Sequence, residues 1–380
     1  MTDREGGAVT TTESPVQASK RKIGAKQIIA FVFGIVIVVA IFVYAIPKFA
    51  NYGDVWNAMK TLTPIEWGSL LVATVFNLYT YWLANQAALP GLRMSQSVVV
   101  TQTGTSVANT LPAGGAVAIG VTFAILESWG FTAGETTLFV GVTGIWNIFT
   151  KLALPVLALA LLVITGHTYP ALVGAAVVGI AVLVAAVVLL ALVFKSKAMA
   201  RRVGEFLGKV ISAVLKPFRK GPITDMGDKA VKFRKETIVL VSRRWIRLTW
   251  TTVLSQLALF FVLLLSLRHM GVSEQDVATV EVFAVYAFSR LLSSIPITPG
   301  GVGVIDLGYI AGLSAFDEGE HAAIVAGVLI FRVLTYGIQI PIGAFTYFIW
   351  RRKRSWMRDT PPPGSIAGEL EAQAEESAAA

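Results

Sequence analysis

The stretch Ser293-Ser294-Ile295-Pro296-Ile297-Thr298-Pro299-Gly300-Gly301-Val302-Gly303-Val304-Ile305-Asp306 stands between two apolar runs, 279–292 and 307–315. An uninterrupted helix cannot pass through it. Pro296 and Pro299 lack the N–H that a helix interior requires, and Gly300, Gly301 and Gly303 favour bent or closely packed backbone. In a water-soluble protein this is a surface turn. In a membrane, broken backbone survives only where it is buried in protein or lines a cavity. The meaning of the stretch therefore depends on whether the chain lives in a membrane.

Composition answers that. The chain is 55% hydrophobic and 14% charged, with a mean hydropathy of +0.68. Several apolar runs reach the roughly 20 residues needed to cross a hydrocarbon core about 30 Å thick. Residues 27–46 and 171–194 carry no charge at all. The absence of cysteine excludes disulfides, thiolate nucleophiles and cysteine metal sites. A net charge of +9 is read as loop charge that records orientation, so no nucleic-acid partner is expected.

Six runs predict full spans: 27–46, 65–84, 136–165, 171–194, 246–267 and 322–350. Lys20, Arg21, Lys22 and Lys26 precede the first, as in a secretory signal. Its length of about 20 apolar residues, without a small-x-small cleavage site, predicts a retained anchor. A short polar loop with Lys48, Asp54 and Lys60 follows. Residues 1–25 and 353–380 read as disordered tails, leaving a membrane domain over 26–352. The loop 195–247 holds fifteen Lys/Arg against four Asp/Glu. Within it Val203, Phe206, Leu207, Val210, Ile211, Val214, Leu215 and Phe218 recur at helical spacing, predicting an amphipathic helix along an anionic membrane surface.

Two further apolar segments, 95–126 and 277–315, are interrupted. The arms of the first are about 11–14 residues, roughly 16–21 Å at 1.5 Å per residue, too short for a full crossing. Its break is Asn109-Thr110-Leu111-Pro112-Ala113-Gly114-Gly115. The N-terminal tail, the central loop and the segment after the last span hold 25 of the 32 Lys/Arg, which places all three in the cytoplasm. Each broken segment must then leave by the side it entered, as a re-entrant hairpin. The first dips from the cytoplasm and the second from outside. The expected fold is all-α and polytopic, six spans plus two re-entrant helical hairpins, with half-repeats 65–165 and 246–350 as inverted copies. Interrupted apolar segments in two inverted halves point to a midplane binding site.

The string Pro296-Ile297-Thr298-Pro299-Gly300-Gly301-Val302-Gly303-Val304-Ile305-Asp306 resembles the flippase-like family, the lysylphosphatidylglycerol synthase transmembrane region and its stand-alone relatives. Asn109-Thr110-Leu111-Pro112-Ala113 and Arg332 in its long last span are similar to further motifs of that family. Two departures accompany the likeness: no charge follows Pro112-Ala113, and the acidic position is Asp306 where Glu is usual. The resemblance, over about 25–352, implies a lipid ligand and lipid flipping, and a chain without the soluble aminoacyl-transferase domain that some members carry.

Charges within spans cost at least about 2.5–3.5 kcal/mol each, so they need partners or a function. Lys151, Arg290 and Arg332 face one acid, Asp306, with Glu281 nearer the edge. Equal spacing about Thr298 predicts an Arg290–Asp306 ion pair across the hairpin. The surplus cations, helix N-termini near Gly115 and Gly300, and Thr298, Gly301, Gly303 and Asn109 form the expected site for an anionic headgroup. Pro296, Pro299, Pro112, Gly114 and Gly115 are the expected hinges. Gln256 and Asn147 either line the cavity or join helices. No catalytic residue, metal or cofactor is expected. Membrane lipids are the expected partners, with a homo-oligomer or an envelope-biosynthesis enzyme as protein partner. A non-transporting scaffold and a membrane-embedded lipid transferase are the alternative functions.

Overall fold

The computed structural model describes residues 36, 43, 44, 46–48, 51–111, 114–166, 170–215, 225–294, 298–317 and 321–369. The first tail, most of the first expected span, Pro112 and Pro296 lie outside these residues. All regular structure among them is helical.

Helix α1 (Tyr52–Lys60) occupies the stretch expected to be a polar loop. The Asn51 side chain caps it, accepting the Gly53 N–H at 2.8 Å. Its Val55 is buried while Trp56 stays exposed under the Lys60 ammonium. Helix α2 (Pro64–Ala88) starts at a capping box. Thr63 Oγ1 accepts the Glu66 N–H and Glu66 Oε2 accepts the Thr63 N–H, so two otherwise orphaned donors are satisfied. Helices α3 (Met94–Thr110) and α4 (Gly114–Glu127) flank the first break and pack on each other. A second capping box, Thr132 with Glu135, opens α5 (Ala133–Ile164), which passes Pro155 without ending.

Helix α6 (Pro170–Lys195) turns by 117° into α7 (Lys197–Leu215), the expected amphipathic helix. One side of α7 lies on the next helix: Gly204 sits against Met226 and Ala230, and Arg201 pairs with Asp228 at 2.6 Å. Phe206 and Leu207 remain exposed. The basic segment is less of a loop than expected, because α8 runs unbroken over Met226–His269. Its 44 residues are about twice what one crossing needs. Helices α9 (Thr279–Leu292) and α10 (Val304–Ser314) flank the second break. Helix α11 (Ala322–Arg332) continues through a π turn, Val333–Gly337, into α12 (Gln339–Arg352). Pro341 has no N–H to offer the carbonyl of Gly337, and the ladder widens just before it.

Among the described residues, three stretches are long and apolar enough to cross a membrane, Ala133–Ile164, Leu240–His269 and Ala322–Arg352, and the α6–α7 pair is a bent fourth. Helix α2 has the length, at 25 residues, but carries Glu66, Asn77 and Asn85.

The packing is reciprocal. The first arm of each broken segment lies on the last helix of the other half: α3 on α12, and α9 on α5. Close approach of α3 and α12 requires Gly343, where the Gln102 carbonyl would meet any side chain. Hydroxyls join the same pair, Thr103 to Thr346 at 3.0 Å and Ser106 Oγ donating to the Ile340 carbonyl at 3.0 Å. Helices α2 and α8 lie side by side, with Asn77 Nδ2 donating to the Ser255 carbonyl at 3.1 Å.

The segment after α12 differs from the disordered tail expected over 353–380. Up to residue 369 it folds back on the bundle. The Arg358 N–H donates to the Ser128 carbonyl at 3.2 Å and the Ala367 N–H to Glu135 Oε1 at 2.9 Å. Trp356 meets Trp129 edge-on at 5.7 Å. Gly91 and Gly130, both at positive φ, leave room for Ser365 and Thr360.

Candidate functional site

Both breaks face one cavity of about 400 Å³ at the centre of the bundle. The second break forms its wall by a 3-10 turn, Pro299–Gly301, closed by the Gly301 N–H to the Thr298 carbonyl at 2.9 Å. Gly300, Gly301 and Gly303 have φ of 58°, 71° and 81°, where L side chains are strained. At Gly300 any side chain would also strike the Tyr336 ring. The Thr298 hydroxyl donates to the Val302 carbonyl at 2.8 Å and so ties the turn.

Of the residues expected in the site, Asn109, Lys151, Arg290, Thr298, Gly300, Gly301 and Arg332 line this cavity, and Gly115 joins them. Gly303 and Asp306 stand behind the wall. The Gly303 N–H donates to Asp306 Oδ2 at 2.7 Å, which caps α10. Gly114 is buried, pressed against the carbonyls of Val107 and Ala108, whereas a side chain on Gly115 would meet open space.

The expected Arg290–Asp306 pair does not form. Asp306, 2% exposed, pairs instead with Arg332 through Nε. In the first turn of α10 its carboxylate meets α11 rather than α9. Arg290 Nε donates to Gln256 Oε1 at 3.0 Å. Gln256 is held in turn by the Tyr286 hydroxyl at 3.1 Å and reaches Asn147 Oδ1 at 3.5 Å, so it tethers a cation rather than lining the cavity. Lys151 Nζ donates to Ser293 Oγ at 3.2 Å and Ser294 Oγ at 3.5 Å. Arg332 lies 4.8 Å from the centre of the Tyr336 ring, whose hydroxyl donates to the Asn109 carbonyl at 2.7 Å. Tyr336 thereby joins one break to the other.

Several wall residues escaped the sequence reading: Tyr81, Gln102, Tyr309 and Gln339. The polar run Thr101–Ser106 on an otherwise apolar arm was the available signal. Gln102 is fully buried, and neither end of its amide has a partner among the described residues. No carboxylate appears on the described cavity wall. Nearby, a second, largely apolar pocket of about 550 Å³ opens between α5, α6 and α8, with Gln256 on its edge. No group of metal-ligating side chains occurs among the described residues.

Fold and site together define a multi-pass helical membrane protein with a cationic cavity at its helix breaks. The family model of the lysylphosphatidylglycerol synthase TM region matches residues 31–343, and the chain belongs to that family. No curated protein matches it.

Proposed function

We propose that the protein moves an anionic lipid across the cytoplasmic membrane, the headgroup passing through the central cavity while the tails stay among apolar helices. The observation that carries this reading is convergence. Lys151, Arg290 and Arg332 come from three helices to one cavity, bounded by both breaks and bare of carboxylates on its described wall. Cations cost too much inside a membrane to be gathered there without an anion to meet. The apolar pocket beside Gln256 offers room for tails.

The same reading takes α3–α4 and α9–α10 as re-entrant hairpins between six spans, with both termini in the cytoplasm. The reciprocal packing of α3 on α12 and α9 on α5 is what inverted half-repeats require, and it supports that arrangement. Membrane lipids are then the partners, beside a second copy or an enzyme of envelope biosynthesis.

The test is reconstitution in liposomes with fluorescent phosphatidylglycerol or phosphatidylcholine and a membrane-impermeant quencher. The protein is expected to speed the anionic lipid, and Arg332→Ala or Lys151→Ala to abolish the gain. If no anionic lipid moves faster than in empty liposomes, the proposal fails. Release of a new lipid product from an added donor would favour a transferase instead.

A further inference from the structure

We infer that the cavity is built for a lipid headgroup carrying two negative charges on one phosphate, a phosphate monoester, in preference to a singly charged phosphodiester. The inference rests on the anionic-lipid reading above and adds the valence of the headgroup.

The charges on the described wall do not cancel. Arg332 is matched by Asp306. Among the described residues, Arg290 has only neutral side-chain partners, the Gln256 amide and the Tyr286 hydroxyl, and Lys151 only the Ser293 and Ser294 hydroxyls. Among the described residues the cavity wall thus holds two cations beyond the neutralised pair, within one volume of about 400 Å³. A diester phosphate supplies one negative charge and leaves one cation unmatched. A monoester above its second pKa of about 6 supplies close to two. The idle amide of the buried Gln102 is a further donor on the same wall. The ammonium and guanidinium differ in shape, and together they suit the three free oxygens of a monoester: Arg by its planar fork, Lys as a point charge.

The experiment compares three probes on the purified full chain in detergent at pH 7: phosphatidic acid, phosphatidylmethanol with the same tails, and inorganic phosphate. Phosphatidylmethanol differs from phosphatidic acid by one methyl, which removes one charge. Phosphatidic acid is expected to bind on the order of tenfold more tightly, a difference of about 1.4 kcal/mol. Arg290→Gln and Lys151→Gln should each bring that ratio close to one. Two variants are used because Arg290 also packs on Gln256. Equal binding of the two lipids by the parent chain, or a ratio unchanged in both variants, overturns the inference and leaves the anionic-lipid reading standing. Inorganic phosphate binding as tightly as phosphatidic acid overturns the lipid source. Failure of both lipids to bind removes the anionic-lipid reading itself.

Discussion

Asp306 and Arg332 form an ion pair in the middle of the bundle, between the first turn of α10 and the last turn of α11. The carboxylate has a second task, accepting the Gly303 N–H. Removing one partner of a buried pair leaves an unmatched charge and costs about 3–5 kcal/mol. Asp306→Asn should therefore lower the unfolding temperature sharply, and Asp306→Asn with Arg332→Gln should recover part of the loss. A double-mutant cycle by thermal unfolding in detergent measures this coupling. Simple additivity of the two substitutions would show that the pair contributes nothing as a pair.

The two glycines of the first break behave differently. A methyl on Gly114 would run into the carbonyls of Val107 and Ala108, while one on Gly115 would meet nothing. Gly114→Ala is expected to destabilise by more than 1 kcal/mol or so, and Gly115→Ala to stay within about 0.5 kcal/mol. Thermal unfolding of the two variants checks the order. Equal effects would mean that the break does not pack as described.

Gly300 and Tyr336 make a graded pair. A methyl at Gly300 would displace the Tyr336 ring, with its contact to Arg332 and its bond to Asn109. Tyr336→Phe removes only the hydroxyl bond, worth about 1 kcal/mol. Gly300→Ala should cost more than Tyr336→Phe in chemical or thermal unfolding. The reverse order would place the strain elsewhere.

The returning C-terminal segment is expected to hold the ends of α4 and α5. Truncation after Lys353 removes the bonds to Ser128 and Glu135 and the Trp129–Trp356 contact. The unfolding temperature should fall, and amide exchange over 125–136 should quicken. Unchanged exchange there would mean the segment is a passenger.

What was legible in the sequence was whatever carries a large local penalty. A proline or glycine cluster in an apolar run forces a break, and a lysine or arginine in a span demands an explanation. The stretch 293–306 and the cations at 151, 290 and 332 stood out for those reasons. The partner of Asp306 did not, because equal spacing about Thr298 fixes depth but not the direction a helix presents its side chain. The docking of residues 354–369 was hidden for a different reason. Proline-rich, alanine-rich composition reads as disorder, yet the segment is held by backbone N–H groups meeting a carbonyl and a carboxylate, contacts that composition does not encode. The length of α8 was masked by its charges, which cover the half of the helix that extends beyond the span.

The central claim is that lipid headgroups cross through the cavity between the two breaks. The chain has no cysteine, so one introduced at Thr335 on the cavity wall provides a single reactive position. The measurement is the rate of fluorescent phosphatidylglycerol movement in proteoliposomes before and after a bulky thiol reagent. A cysteine at the exposed Leu161 serves as control. Blocking Thr335→Cys should stop transport and blocking Leu161→Cys should leave it unchanged. Transport that persists with the cavity blocked would contradict the claim.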